Sequence, residues 1–243
     1  MSGSETASGT PSASLCGSLA STLGGKTVVA LTGLALLGFV LAHMAGNLQI
    51  YLGQEAVNAY ALTLKELGPA LWVMRFGLIA TALVHVILSA QLAAANRAAR
   101  PVRYRGSGNV QITPAARGML LTGLVILAFV AYHLAHFTWG LTHPEHYALR
   151  DAEGRQDVYS MIILGFRQPL VCGLYMAAVL LLGLHLVHGV SSVFQTLGWN
   201  HPRCESLLSA VGPVLGTLIA LGYVSIPGGV LLGYVTLPSG VSP

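Results

Sequence analysis

The chain is 243 residues long, 54% hydrophobic and only 8% charged, with 12 Lys and Arg against 8 Asp and Glu. A soluble domain carries roughly 25% charged residues, so water is not the main solvent for this sequence. The small positive excess sits in one loop rather than on a face, which gives no case for nucleic acid as a partner. Cys16, Cys172 and Cys204 are far apart and follow no CxxC or CxxCH spacing, which argues against a zinc site, covalent haem attachment and a disulfide framework.

Residues 1–22 are rich in Ser, Gly, Ala and Thr and contain no basic residue. A secretory signal needs a positive start ahead of its apolar run, so this stretch reads as a flexible tail outside the fold. A bilayer-spanning helix needs about 20 mostly apolar residues. Five runs meet that length, at roughly 27–50, 70–95, 115–141, 167–197 and 206–235. The expected fold is therefore an all-α bundle of five transmembrane helices over residues 23–243. Pro69, Pro101, Pro114, Pro144, Pro169 and Pro202 fall near the expected ends, where proline is tolerated.

Orientation follows from the cations. The loop after the second run carries Arg97, Arg100, Arg103, Arg105 and, at its far edge, Arg117, with no acid. The loop after the third mixes Arg150, Arg155 and Arg167 with Glu145, Asp151, Glu153 and Asp157. The first loop is thus expected on the cytoplasmic side, with the N-terminus, and Lys26 agrees. In the fifth run, Gly212-x-x-x-Gly216 and Gly229-x-x-x-Gly233 have the spacing that permits close helix approach, either within the bundle or to another protomer.

Six of nine histidines lie inside the runs: His43, His85, His133, His136, His185 and His188. Ionisable groups at membrane depth usually face a functional interior, although a single one can be a packing residue. Each of the first four runs has a histidine and the fifth has none. At a rise of about 1.5 Å per residue, depth sorts them into an outer pair, His43 with His136, and an inner pair, His85 with His188. Bis-histidine ligation from two helices is a way to hold a b-type haem in a bundle core, and two layers point to two haems. His133 lies three residues from His136, and His185 three from His188, so each couple shares roughly one helix face. Depth alone leaves open which member of each couple is the ligand.

The run His43-Met-Ala-Gly-Asn-Leu-Gln-Ile-Tyr51, then Asn58-Ala-Tyr-Ala61 and Gly68-Pro-Ala-Leu-Trp72 with Arg75, resembles the dihaem cytochrome b membrane anchor of succinate dehydrogenases and fumarate reductases, respiratory complex II. Tyr132-His-Leu-Ala-His-Phe-Thr138, His185-Leu-Val-His-Gly-Val-Ser-Ser192 and Gly198-Trp199 extend the resemblance over nearly the whole chain beyond the tail. It implies haem ligands at His43, His85, His136 and His188, with His133 and His185 as alternates. It further implies flavoprotein and iron–sulfur subunits docked on the cytoplasmic face, and electron exchange with a quinone, menaquinone by likeness to dihaem members. The location implied is a bacterial cytoplasmic membrane. Some fumarate reductases of this kind carry a Glu two residues before the fourth-run ligand. Leu186 stands at that position, which removes that carboxylate from any proton route.

Glu66 and Glu55 are candidates for handling quinone protons, against a reading as ordinary loop acids. Arg75 and Arg167 are candidates for meeting haem propionates, against simple snorkelling of Arg75 to the headgroups. The arginine cluster could meet the iron–sulfur partner or anionic lipid. Two other readings stay open: the dihaem cytochrome b of a different respiratory dehydrogenase, and a haem-free transporter or scaffold.

Overall fold

In the computed structural model the described residues are 22–99, 114–199 and 205–238. Among them the chain is helical, apart from turns and a single bridge between Arg150 and Gln156. Helix α1 spans Thr22–Asn47 and continues as a 3-10 turn over Leu48–Leu52. Then come α2 (Gln54–Glu66), α3 (Pro69–Ala98), α4 (Pro114–His133, followed by a π turn at Leu134–Thr138) and α5 (Pro144–Tyr147). The last three are α6 (Val158–Arg167), α7 (Pro169–Thr196) and α8 (Glu205–Leu231).

Five of these helices, α1, α3, α4, α7 and α8, are long and apolar enough to cross a membrane, which marks a multi-pass membrane protein. Three of them begin at a proline, Pro69, Pro114 and Pro169, because proline at the first turn gives up an N–H that has no intrahelical partner anyway. Pro213 and Pro227 lie inside α8, as membrane helices tolerate when neighbours satisfy the freed backbone groups. The tail and Arg100, Arg103 and Arg105 lie outside the described residues.

The spanning helices make a four-helix bundle with a fifth helix on its flank. Helix α1 packs along α3 and α4 along α7, while α1 also meets α7 and α3 meets α4. The remaining pairs, α1 with α4 and α3 with α7, therefore sit on the diagonals. Helix α8 lies mainly against α7. Gly212 and Gly216 make this seam: a Cβ at Gly212 would run into Val187 O, and one at Gly216 would sit 2.7 Å from Gly183 O. That Gly-x-x-x-Gly thus closes a seam within this chain. The second does not, since Gly233 lies past the helix with φ 74°.

One end of the bundle carries a cap that the hydropathy pattern does not announce. Helices α2 and α6 cross it, and every residue of α6 from Tyr159 to Phe166 is buried. Ile163, at 0% exposure, packs with Ile50, Val57, Ile226 and Val230. Asp157 caps α6 by accepting from Ser160 N at 3.1 Å, the kind of N-cap that a short helix needs.

Candidate functional site

The diagonal arrangement decides which histidines meet. His43 on α1 and His133 on α4 face each other near the capped end, with ring centroids 5.8 Å apart and planes at 86°. Phe39 stacks on His43 at 5.3 Å, and Tyr175 Oη lies 3.4 Å from His133 Nδ1. Both histidines line a cavity of about 300 Å³ walled by Phe129, Tyr175 and Tyr223 and reaching the cap at Tyr147 and Gln156.

His136 does not line that cavity. It is 2% exposed, stacks on Phe137 at 4.0 Å, and meets Tyr175 Oη through Nδ1 at 3.1 Å. Its Nε2 has no hydrogen-bond partner and lies 3.1 Å from where a Cβ on Gly165 would be. The cause is local. In an α-helix residues three apart share a face, but α4 widens into a π turn at Leu134. Each residue of a π turn advances by a smaller angle, which swings His136 off the face of His133. π turns inside helices often accompany functional sites.

Toward the open end lie His85 on α3 and His185 on α7, the two helices of the second diagonal, each held at Nδ1 by a threonine of a neighbouring helix. Nδ1 of His85 lies 3.1 Å from Thr32 Oγ1 and 3.2 Å from Val29 O. Nδ1 of His185 lies 3.1 Å from Thr122 Oγ1. His188 instead meets Ser192 Oγ, one turn along its own helix, through Nε2 at 3.1 Å.

The two halves of the bundle repeat each other. Leu31-Thr-Gly-Leu34, Leu37, Phe39, Val40 and His43 match Leu121-Thr-Gly-Leu124, Leu127, Phe129, Val130 and His133 at a constant offset. Pro69 and His85 likewise match Pro169 and His185. This repeat is the signal in the sequence that separates His133 from His136 and His185 from His188. It places one histidine of each diagonal pair in each half. In α1 and in α4 the threonine precedes the histidine by eleven residues, so the two layers are about 16 Å apart along the helices.

Two cations reach the cavity wall, and neither is in an ion pair among the described residues. Arg75 lines it, with its guanidinium 5.0 Å from the Trp72 ring centroid. Lys65 lines it too and donates to Gln156 Oε1. Burial first, then the nearby cations Arg150 and Arg75, push the Lys65 ammonium below the usual lysine range. Such a set suits an anionic group. Arg167 is exposed at the end of α6 and absent from the cavity lining. Glu66 is exposed, and Glu55 is engaged by Arg155 in a two-toothed ion pair, Nη1–Oε1 3.0 Å and Nη2–Oε2 2.6 Å. Neither acid lines the cavity.

The residues fit a haem at each layer by the chemistry of the donor set. Each layer offers two imidazoles from opposite helices, and His85 and His185 spend Nδ1 on hydrogen bonds, so Nε2 is the nitrogen that would face such a group. Among the described residues no group of three or more His, Cys, Asp or Glu is arranged to hold a bare metal ion.

No family model matches the sequence, and no curated protein and no solved structure matches it either. Fold and site together define a multi-pass membrane protein with paired histidines in a four-helix core.

Proposed function

We propose that the chain is the dihaem cytochrome b membrane anchor of a succinate:quinone oxidoreductase. In this reading His43 and His133 ligate one haem b, and His85 and His185 ligate the other. The observations that carry it are the facing of His43 and His133 across one diagonal of the bundle and the matched threonine contacts of His85 and His185, which sit on the two helices of the other diagonal. Independent packing histidines have no reason to recur with the same neighbours in each half. The resemblance in sequence favours His136 and His188 as ligands. The geometry favours His133 and His185, because His136 is turned out of the cavity and His188 Nε2 is engaged by its own helix.

When bound, two haems b would supply reversible one-electron carriers at two depths. The residues of this chain position them, keep water out with Phe39, Phe129 and Tyr223, and set the nearby charge through Arg75 and Lys65. Arg75 is the propionate candidate that the cavity retains. The positive-inside rule puts Lys26, Arg97 and the open end in the cytoplasm, where the flavoprotein and iron–sulfur subunits would dock. The capped end then faces outward, and Lys65, Tyr147 and Gln156 are the polar groups there for a quinone, proposed to be menaquinone. The membrane is proposed to be the bacterial cytoplasmic membrane.

A pyridine haemochrome assay and reduced-minus-oxidised spectra of the purified complex test this. The expected result is two haems b per chain, with His43→Ala and His133→Ala losing one spectral component. His85→Ala and His185→Ala lose the other, and His136→Ala and His188→Ala keep both. A preparation with no haem overturns the reading.

A further inference from the structure

Thr32 and Thr122 occupy equivalent places in the two halves of the bundle, and each makes the same set of contacts. Thr32 Oγ1 lies 2.7 Å from Val28 O and 3.1 Å from Val29 O on its own helix. Thr122 Oγ1 lies 3.0 Å from Gly118 O and 3.1 Å from Met119 O. Each hydroxyl also meets one histidine Nδ1 on the neighbouring helix at 3.1 Å. A hydroxyl has one hydrogen and two lone pairs. With the hydrogen given to the carbonyl one turn back, the oxygen can only accept from the imidazole. His85 Nδ1 also faces Val29 O at 3.2 Å, and a carbonyl accepts only, so that nitrogen carries the proton. His185 stands in the mirrored place.

The glycine after each threonine makes room for the ring. A Cβ on Gly33 would come within 3.1 Å of His85 Cε1, and one on Gly123 within 3.5 Å of His185 Cε1. The motif Thr-Gly on one helix and His on the next is therefore one unit used twice. The capped-end pair differs: there His133 Nδ1 meets Tyr175 Oη, at 3.4 Å, and no threonine among the described residues.

We propose that Thr32 and Thr122 are positioning residues that hold His85 and His185 in the Nδ1–H tautomer, leaving each Nε2 as the free donor at the open-end layer. This rests on the haem reading above. A hydrogen bond from Nδ1–H makes the imidazole a stronger donor, which favours the oxidised iron and lowers the reduction potential of that layer. His85 keeps a second acceptor in Val29 O, and His185 has none beyond Thr122 among the described residues. The two threonines are consequently unequal in effect.

The test is a redox titration of the purified complex, with haem counted in the same samples, for Thr32→Val, Thr122→Val, Thr32→Ser and Thr122→Ser. Valine keeps the shape and removes the acceptor; serine keeps the acceptor. The expected result is two haems b in every variant and an upward shift of one component only, the one lost in His85→Ala. The shift is larger for Thr122→Val than for Thr32→Val and absent in both serine variants. If a valine variant does not assemble, Thr32→Cys and Thr122→Cys, with a weak sulfur acceptor, must show the same order of shifts. Two haems with unchanged potentials in the valine or cysteine series overturn this inference and leave the haem reading standing. Absence of haem from the unsubstituted protein overturns the haem reading itself.

Discussion

Nδ2 of Asn58 donates to Oδ1 of Asp157 at 3.1 Å, joining two side chains that are each 1% exposed. The amide is fully employed: Nδ2 also reaches Asp151 Oδ2 at 3.0 Å, and Oδ1 accepts from Tyr159 N at 3.1 Å. Gln54 Nε2 donates to the other oxygen of Asp157 at 2.9 Å. One neutral side chain thus ties α2 to the start of α6 and lets two carboxylates sit beneath the cap. Asn58→Ala leaves those groups short of partners, and a buried group left unpaired costs about 1–3 kcal/mol. The expected outcome is a loss of about 2–4 kcal/mol, read as a lower melting temperature in detergent. Asn58→Asp, which adds a third carboxylate, is worse.

The ion pairs around Arg155 give the cap a pH dependence of defined sign. The guanidinium bonds Glu55, Asp151 (Nε–Oδ2 2.8 Å) and Glu153 (Nη1–Oε2 3.0 Å). The hydrogen bond from Arg155 holds the Glu55 carboxyl below its ordinary value of 4.5. Burial pushes Asp151 upward, but hydrogen bonds from Arg155, Asn58 and two backbone amides outweigh it and hold it below 3.8. Groups whose folded values are depressed stabilise fully above their unfolded values and lose that contribution as pH falls through the folded ones. The contribution of these ion pairs to the melting temperature is therefore flat above about pH 5 and declines below it. Glu55→Gln shallows the decline, and added salt weakens the Glu55 part because that side chain is 71% exposed.

The seam between α7 and α8 has no room for a side chain. A Cβ on Gly183 would sit 2.8 Å from Ala220 Cβ and 3.0 Å from Gly216 O. Overpacking of a filled interior costs about 1–3 kcal/mol. Gly183→Val and Gly216→Val should each lower the melting temperature by a corresponding amount. Gly173→Val, where a Cβ would meet nothing within 4 Å, should leave it unchanged.

Arg75 offers a charge test of the cavity. A cation near a haem favours the reduced form, which carries less positive charge, so removing it lowers the potential. In a redox titration Arg75→Gln should move down only the component lost in His43→Ala. Arg167→Gln, off the cavity wall, should move neither. A shift of the other component by Arg75→Gln would place the cation at the wrong layer.

The spanning helices were legible because membrane insertion depends on a local property, about 20 apolar residues in a row, and the expected runs overlap the five observed helices throughout. Helices α2 and α6 were not legible in the same way. Helix α2 is amphipathic and short, and α6 is an apolar run of ten residues inside a charged loop. Only docking on Ile50, Val57 and α8 turns that run into a buried helix.

The choice among the paired histidines followed a different course. Residues three apart share a face only while the helix stays α-helical, and the π turn at Leu134–Thr138 breaks that condition for His136. The Thr-Gly…His repeat in α1 and α4 was present in the sequence throughout. Its meaning needs the helix pairing, since Thr32 touches His85 and Thr122 touches His185 across more than fifty residues each.

The sequence by itself determined the number of spanning helices, their boundaries to within a few residues, and the presence of histidine in four of them, because hydropathy and composition act along the chain. Only the tertiary structure decided which histidines face each other, which acids leave the cavity wall, and what the Gly212–Gly216 stripe packs against. Those outcomes depend on which helices are neighbours and which are diagonal, and that is set by side-chain packing between segments far apart in the chain.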